Sequence, residues 1–208
     1  MNDTRVKICG ITTPGDAQLA ASLGADYIGV VFADSPRRVD VERAREIRAA
    51  VPGSTLVGVF KDQDLEDVVR ITRDSGVDMV QLHGTEPPGF CDAVLARTGK
   101  PVIKAFDSSR IPGADELAAY VTTSYFLFDL DHNGTPGRDH MDRVWKEVSR
   151  TRRMGFRVFL AGGLDPANVR EAIRRTQAFA VDVSRGVESA PGVKDAGVLG
   201  RFFAEARA

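Results

Sequence analysis

Two cysteines in 208 residues are too few for a disulfide framework, and Cys9 and Cys91 form neither a CxxC pair nor a zinc-type cluster. Free thiols in a reducing compartment are expected, with no metal. Long apolar runs are also missing. The longest, residues 27–33, falls far short of the roughly 20 residues that cross a bilayer, and Met1-Asn2-Asp3-Thr4-Arg5 carries no apolar leader. A soluble, cytoplasmic chain with no membrane partner is expected. Nor does one sign of charge dominate: 28 Lys plus Arg stand against 29 Asp plus Glu, a formal charge of -1. Without a global basic field there is no reason to expect nucleic acid as a partner, and any anionic ligand must be held locally. No linker or low-complexity stretch divides the chain, so residues 1–208 are expected to form one domain.

What is present is 43% hydrophobic composition, enough for a sizeable core, distributed in a regular alternation. Short β-branched runs at 6–9, 27–31, 55–60, 79–82, 102–105, 125–128, 158–160 and 178–181 read as strands. Amphipathic segments near 15–23, 40–50, 64–74, 89–97, 114–121, 139–152, 166–175 and 195–206 read as helices. Pro14 after Thr13 and Pro166 after Asp165 mark helix starts, while Gly24, Gly76 and Gly155 stand just past helix ends. Eight strand-helix pairs predict a (β/α)8 TIM barrel. A doubly wound sheet needs fewer strands and a Gly-x-Gly-x-x-Gly turn after the first, which this chain does not have.

Barrel enzymes keep their chemistry at the carboxyl ends of the strands. Those positions hold Cys9, Arg37, His83, Asp129 and Asp182, with Lys104 expected to end the fifth strand. After the seventh and eighth strands come Ala161-Gly162-Gly163-Leu164 and Asp182-Val183-Ser184-Arg185-Gly186. Loops of this kind let backbone amides approach a phosphate, so Gly162, Gly163, Ser184, Arg185 and Gly186 are candidate phosphate ligands. Strand alternation puts Lys7 on the face of Cys9, where an ammonium would favour the thiolate. A thiol near its reference pKa of roughly 8.5 needs only a modest downward shift to act as a base. Cys91 reads as helix packing, and Arg38 competes with Arg37 for the same role.

Lys7-Ile8-Cys9-Gly10-Ile11-Thr12, Ser35-Pro36-Arg37, Val57-Gly58-Val59-Phe60, Gln81-Leu82-His83-Gly84, Ala161-Gly162-Gly163-Leu164, Asp182-Val183-Ser184, Gly186-Val187-Glu188 and Pro191-Gly192-x-Lys194-Asp195 occur in this order. By these motifs the chain resembles, over nearly its whole length, the phosphoribosylanthranilate isomerase family of tryptophan synthesis. The resemblance implies a cofactor-free Amadori rearrangement of a small phosphorylated substrate. Asp129 would act as the acid that opens the ribose ring and Cys9 as the base that removes the C2 proton. Arg37 would bind the aromatic carboxylate, and Asp182 would accept from ribose hydroxyls or else serve as a loop or capping residue. His83 either shapes the pocket or contacts substrate.

Asp131 competes with Asp129 for the acid, or stands beside it to keep it protonated. The chain departs from the family pattern at two points. The loop after Asp129 is short and carries Pro136, which lacks an amide donor. Arg185 stands where a serine is usual, and it would strengthen a phosphate contact, pair with a substrate carboxylate or face solvent. Two other readings follow: a family member repurposed for a related phosphoribosyl amine, and a sugar-phosphate binder without catalysis. Retention of both Cys9 and Asp129 argues against the second. A monomer and a homodimer are both compatible with the outer helix faces.

Overall fold

The computed structural model describes residues 4–109, 111–130 and 137–208. Eight parallel strands close into a barrel in chain order: β1 (Arg5–Ile8), β2 (Tyr27–Val31), β3 (Thr55–Phe60), β4 (Met79–Leu82), β5 (Val102–Asp107), β6 (Tyr125–Asp129), β7 (Val158–Ala161) and β8 (Ala180–Val183). The outer ring is α1 (Pro14–Ser22), α2 (Val41–Ala50), α3 (Leu65–Ser75), α4 (Pro88–Thr98), α5 (Ala114–Ala118), α6 (Arg138–Arg153), α7 (Val169–Thr176) and α8 (Ala196–Arg207). A 3-10 turn, Arg185–Val187, and a small antiparallel hairpin, β9 (Glu188–Ala190) with β10 (Val193–Lys194), sit between β8 and α8. Among the described residues, no helix is long and apolar enough to cross a membrane.

Each strand divides its side chains between two cores, as the two-residue period of a pleated strand requires. Phe126 and Phe128 face the helices with Val6, Ile8 and Val181, whereas Leu127 packs inside the barrel with Tyr27, Val57, Ile103, Phe159 and Ala180. The inward phase that places Leu127 in this layer carries Asp129 to the cavity above it. The same phase puts Lys7, Asp182 and Gln81 inside.

Helix punctuation follows local chemistry. Thr13 caps α1 by accepting from the Asp16 amide, Asp40 caps α2 from Arg43, and Asp195 caps α8 from Val198. Gly24, Gly76 and Gly155 stand past their helices at φ of 94°, 73° and 93°, the left-handed region that glycine adopts without a Cβ clash.

Three differences from expectation bear on the charged side chains and the loops around the site. The eighth strand begins and ends two residues later than predicted, so Asp182 lies within it and is paired with Lys7 in register. The first turn after Pro166 is not helical, and α7 starts only at Val169, because Asp165 and Asn168 cap each other's backbone there. β5 continues to Asp107, which leaves Lys104 in mid-strand on the outward face rather than at a strand end.

Candidate active site

At the carboxyl ends of the strands lies a cavity of about 630 Å³ lined by all ten predicted site residues: Cys9, Arg37, His83, Asp129, Gly162, Gly163, Asp182, Ser184, Arg185 and Gly186. Val31, Ala33 and Val59 form an apolar wall against Cys9. A larger cleft, about 810 Å³, opens at the opposite end between arginines and phenylalanines such as Arg152, Arg157, Phe156 and Phe179. It has neither a thiol nor a histidine, so size alone does not mark where acid-base chemistry is possible.

Cys9 directly follows β1 and is anchored by its amide, which donates to the Val183 carbonyl at 2.8 Å. Beneath it Lys7, fully buried, donates to Asp182 Oδ2 at 2.8 Å. Burial works against the Lys7 ammonium, but Asp182 and Cys9 outweigh it and raise its pKa above the ordinary value. For Cys9 the balance goes the other way. Burial pushes the thiol up and the nearby Lys7 charge only partly offsets this, so the expected downward shift is not found. Burial is the chief cause, and the Asp182 carboxylate adds to it.

Gly29 on β2 makes this packing possible. A Cβ there would stand 2.9 Å from Cys9 Sγ and 3.2 Å from Lys7 Nζ. Gly10, at φ 72°, plays the same part for Arg37 and Ser184, whose side chains would overlap a Cβ at that point.

Asp129 ends β6 with Oδ2 at 3.2 Å from His83 Nε2. The other ring nitrogen, Nδ1, is 3.0 Å from the Gln81 amide nitrogen. His83 thus bridges Gln81 and the candidate acid. Gly162 is required next to it, since a Cβ would collide with both the Asp129 carboxylate and the Leu130 backbone. Asp131 and Pro136 lie outside the described residues.

Asp182 uses only one oxygen on Lys7. The other, Oδ1, is buried and has no hydrogen-bond partner among the described residues, so it is an acceptor open to a ligand. The β7 and β8 loops meet backbone to backbone: a Cβ on Gly186 would strike the Leu164 carbonyl. Gly162 and Gly163 have φ of 82° and 64°, and among the described residues neither amide has a backbone acceptor. Ser184 lines the cavity beside these loops, and Arg185 stands exposed next to it.

Arg37 is not the free clamp that the sequence suggests. Its Nε and Nη2 grip Glu188 at 2.8 Å and 2.6 Å. Arg38 is exposed, and Cys91 is wholly buried on α4 with its thiol pushed up to about 11 by burial. Lys104 faces out of the barrel and pairs with Glu86 at 2.7 Å.

Sequence reading assigned no role to Gly29, Gln81, Glu188 or Lys194. A glycine inside a strand marks close approach of another group, which could have exposed Gly29. Gln81 shares the inward phase of Met79 and His83. Glu188 and Lys194 stand in two of the quoted motifs, but their partners meet only when the chain closes.

Fold and site together define a class: a (β/α)8 barrel whose mouth joins a thiol, a carboxylate-histidine pair and two closely packed glycine loops. Comparison with known proteins narrows this. Residues 6–205 match the family model described as N-(5'phosphoribosyl)anthranilate (PRA) isomerase, and the chain belongs to that family. It is 43% identical to N-(5'-phosphoribosyl)anthranilate isomerase of Geobacter sp. strain M21, over 98% of each chain. The phosphoribosyl anthranilate isomerase structure from Thermus thermophilus matches with TM-score 0.84 at 40% identity, covering 98% of both chains. A further phosphoribosyl anthranilate isomerase structure matches with TM-score 0.80 at 35% identity over 98% of both chains. It was solved in complex with reduced 1-(o-carboxyphenylamino)-1-deoxyribulose 5-phosphate.

Proposed function

We propose that this protein catalyses the Amadori rearrangement of N-(5'-phosphoribosyl)anthranilate to 1-(2-carboxyphenylamino)-1-deoxyribulose 5-phosphate. The observation that carries this reading is the convergence of Cys9, Asp129 and the two glycine loops on one cavity of the family's barrel.

Asp129 delivers a proton to the furanose ring oxygen as the C1–O bond breaks, leaving a C1=N iminium. The Cys9 thiolate then takes the C2 proton. The C2–H electrons become the C1=C2 double bond and neutralise the iminium, giving an enolamine. Protonation at C1 with loss of the 2-hydroxyl proton yields the ketone. His83, beside Asp129, orients its carboxyl group toward the ring oxygen. The Gly162, Gly163 and Gly186 backbone with Ser184 and Arg185 holds the phosphate, and Asp182 Oδ1 accepts from a ribose hydroxyl. Arg37 engages the anthranilate carboxylate. Holding both ends of the substrate fixes C2 over the thiol, the chief contribution a rigid site makes to a unimolecular step.

The test follows the loss of fluorescence of freshly generated phosphoribosylanthranilate in the presence of wild type, Cys9→Ser and Asp129→Asn. Wild-type turnover with both variants depressed by at least about a hundredfold is expected for an acid and a base acting in the transition state. No wild-type turnover overturns the reading, and turnover of only another phosphoribosyl amine replaces the substrate.

A further inference from the structure

The hairpin behind β8 carries two charged side chains that the acid-base steps do not use. Lys194, wholly buried on β10, donates to the Cys9 carbonyl at 2.6 Å and to Glu188 Oε1 at 2.8 Å. Glu188, with its side chain 5% exposed, accepts from Arg37 through both carboxylate oxygens. Burial pushes the Glu188 carboxyl up, but Arg37 and Lys194 outweigh it and hold it below the usual range.

The arrangement has a direction. Glu188 occupies the Nε–Nη2 edge of the guanidinium, while Nη1 makes no hydrogen bond among the described residues and Arg37 lines the cavity. The stem of Arg37 lies against Gly10, next to the base. Two basic side chains face one carboxylate: burial lowers the Lys194 pKa and Glu188 only partly offsets this, whereas the bond to Glu188 raises that of Arg37. Arg37 therefore keeps its charge, and its remaining edge favours an anion.

We propose that Glu188 is a positioning residue for aryl-carboxylate recognition: it orients Arg37 so that its remaining edge meets the carboxylate of the substrate, and Lys194 ties that orientation to Cys9. This rests on the functional reading above and adds the origin of its selectivity for an aryl amine that bears a carboxylate.

The experiment compares two substrates, N-(5'-phosphoribosyl)anthranilate and N-(5'-phosphoribosyl)aniline, which lacks the carboxylate. For Glu188→Gln the KM for the first is expected to rise about tenfold or more, the range for a weakened charged hydrogen bond, while kcat changes less than about threefold. On the aniline substrate kcat/KM should change less than about threefold. Glu188→Asp keeps the charge opposite Lys194 but withdraws it from Arg37. It should show a smaller loss of the same kind, and it decides the matter if Glu188→Gln fails to fold. Equal losses on both substrates, or no loss on the anthranilate substrate, overturn the inference and leave the isomerase reading standing. Failure of wild type on both substrates defeats that reading instead.

Discussion

Lys7 and Cys9 stand two residues apart on one strand, and the contest between burial and charge around them sets the pH at which the base works. Burial raises the thiol above its ordinary value and Lys7 partly opposes this. Activity should therefore climb through the alkaline range, and in Lys7→Met the rising limb should move to still higher pH. Iodoacetamide labelling of Cys9 against pH, beside the rate profile, measures both, and an unmoved limb in the variant excludes the role of Lys7. The linkage has the matching sign. A folded-state thiol pKa above the unfolded value of about 8.5 stabilises the fold below that pH, and the contribution fades as pH rises through the folded pKa. Gly29→Ala forces a Cβ to within 2.9 Å of the sulfur. A displacement approaching 1 Å costs on the order of a hundredfold in kcat, and steady-state kinetics beside an intact circular dichroism spectrum would establish it. An unchanged kcat would show that Cys9 tolerates the shift.

Elements bring in groups that single residues do not reveal. Outward on β5, Lys104 is 2% exposed and donates to the Gly84 carbonyl and to Glu86, tying down the loop after β4 that follows His83. Lys104→Met leaves Glu86 buried without its cation, which should cost about 3–5 kcal/mol in urea unfolding. In Lys104→Met with Glu86→Gln part of the loss should return, since the residual charge is gone. Element existence was legible in the sequence because eight strands repeat one inward-outward rhythm. The phase of that rhythm already placed Cys9, His83, Asp129 and Asp182 on one side. Lys104 was misjudged by treating it as a strand end, since β5 runs on to Asp107. The β9–β10 hairpin was not legible as structure, because strands of three and two residues carry no periodic signal.

At the scale of the whole molecule, barrel closure is what makes a site, and ligand binding should report on it. A ligand that spans the glycine loops and the aryl end binds only the folded barrel. At about a hundred times its Kd it should add about 2.7 kcal/mol, raising Tm by roughly 5–10 °C for a chain of this size. The reduced product analogue, tested by calorimetry, should reach this shift with wild type and fall well short of it with Gly163→Pro. An equal shift in both would place the phosphate elsewhere. By itself the sequence determined the barrel, the strand-end residues and the glycine loops, because these follow from periodicity and from backbone geometry local to each unit. Only the tertiary structure decided that burial outweighs Lys7 at the thiol, that His83 stands at Asp129, and that Arg37 is held by Glu188, itself paired with Lys194. Those outcomes depend on desolvation and on partners up to 185 residues apart in the chain, which no local pattern encodes.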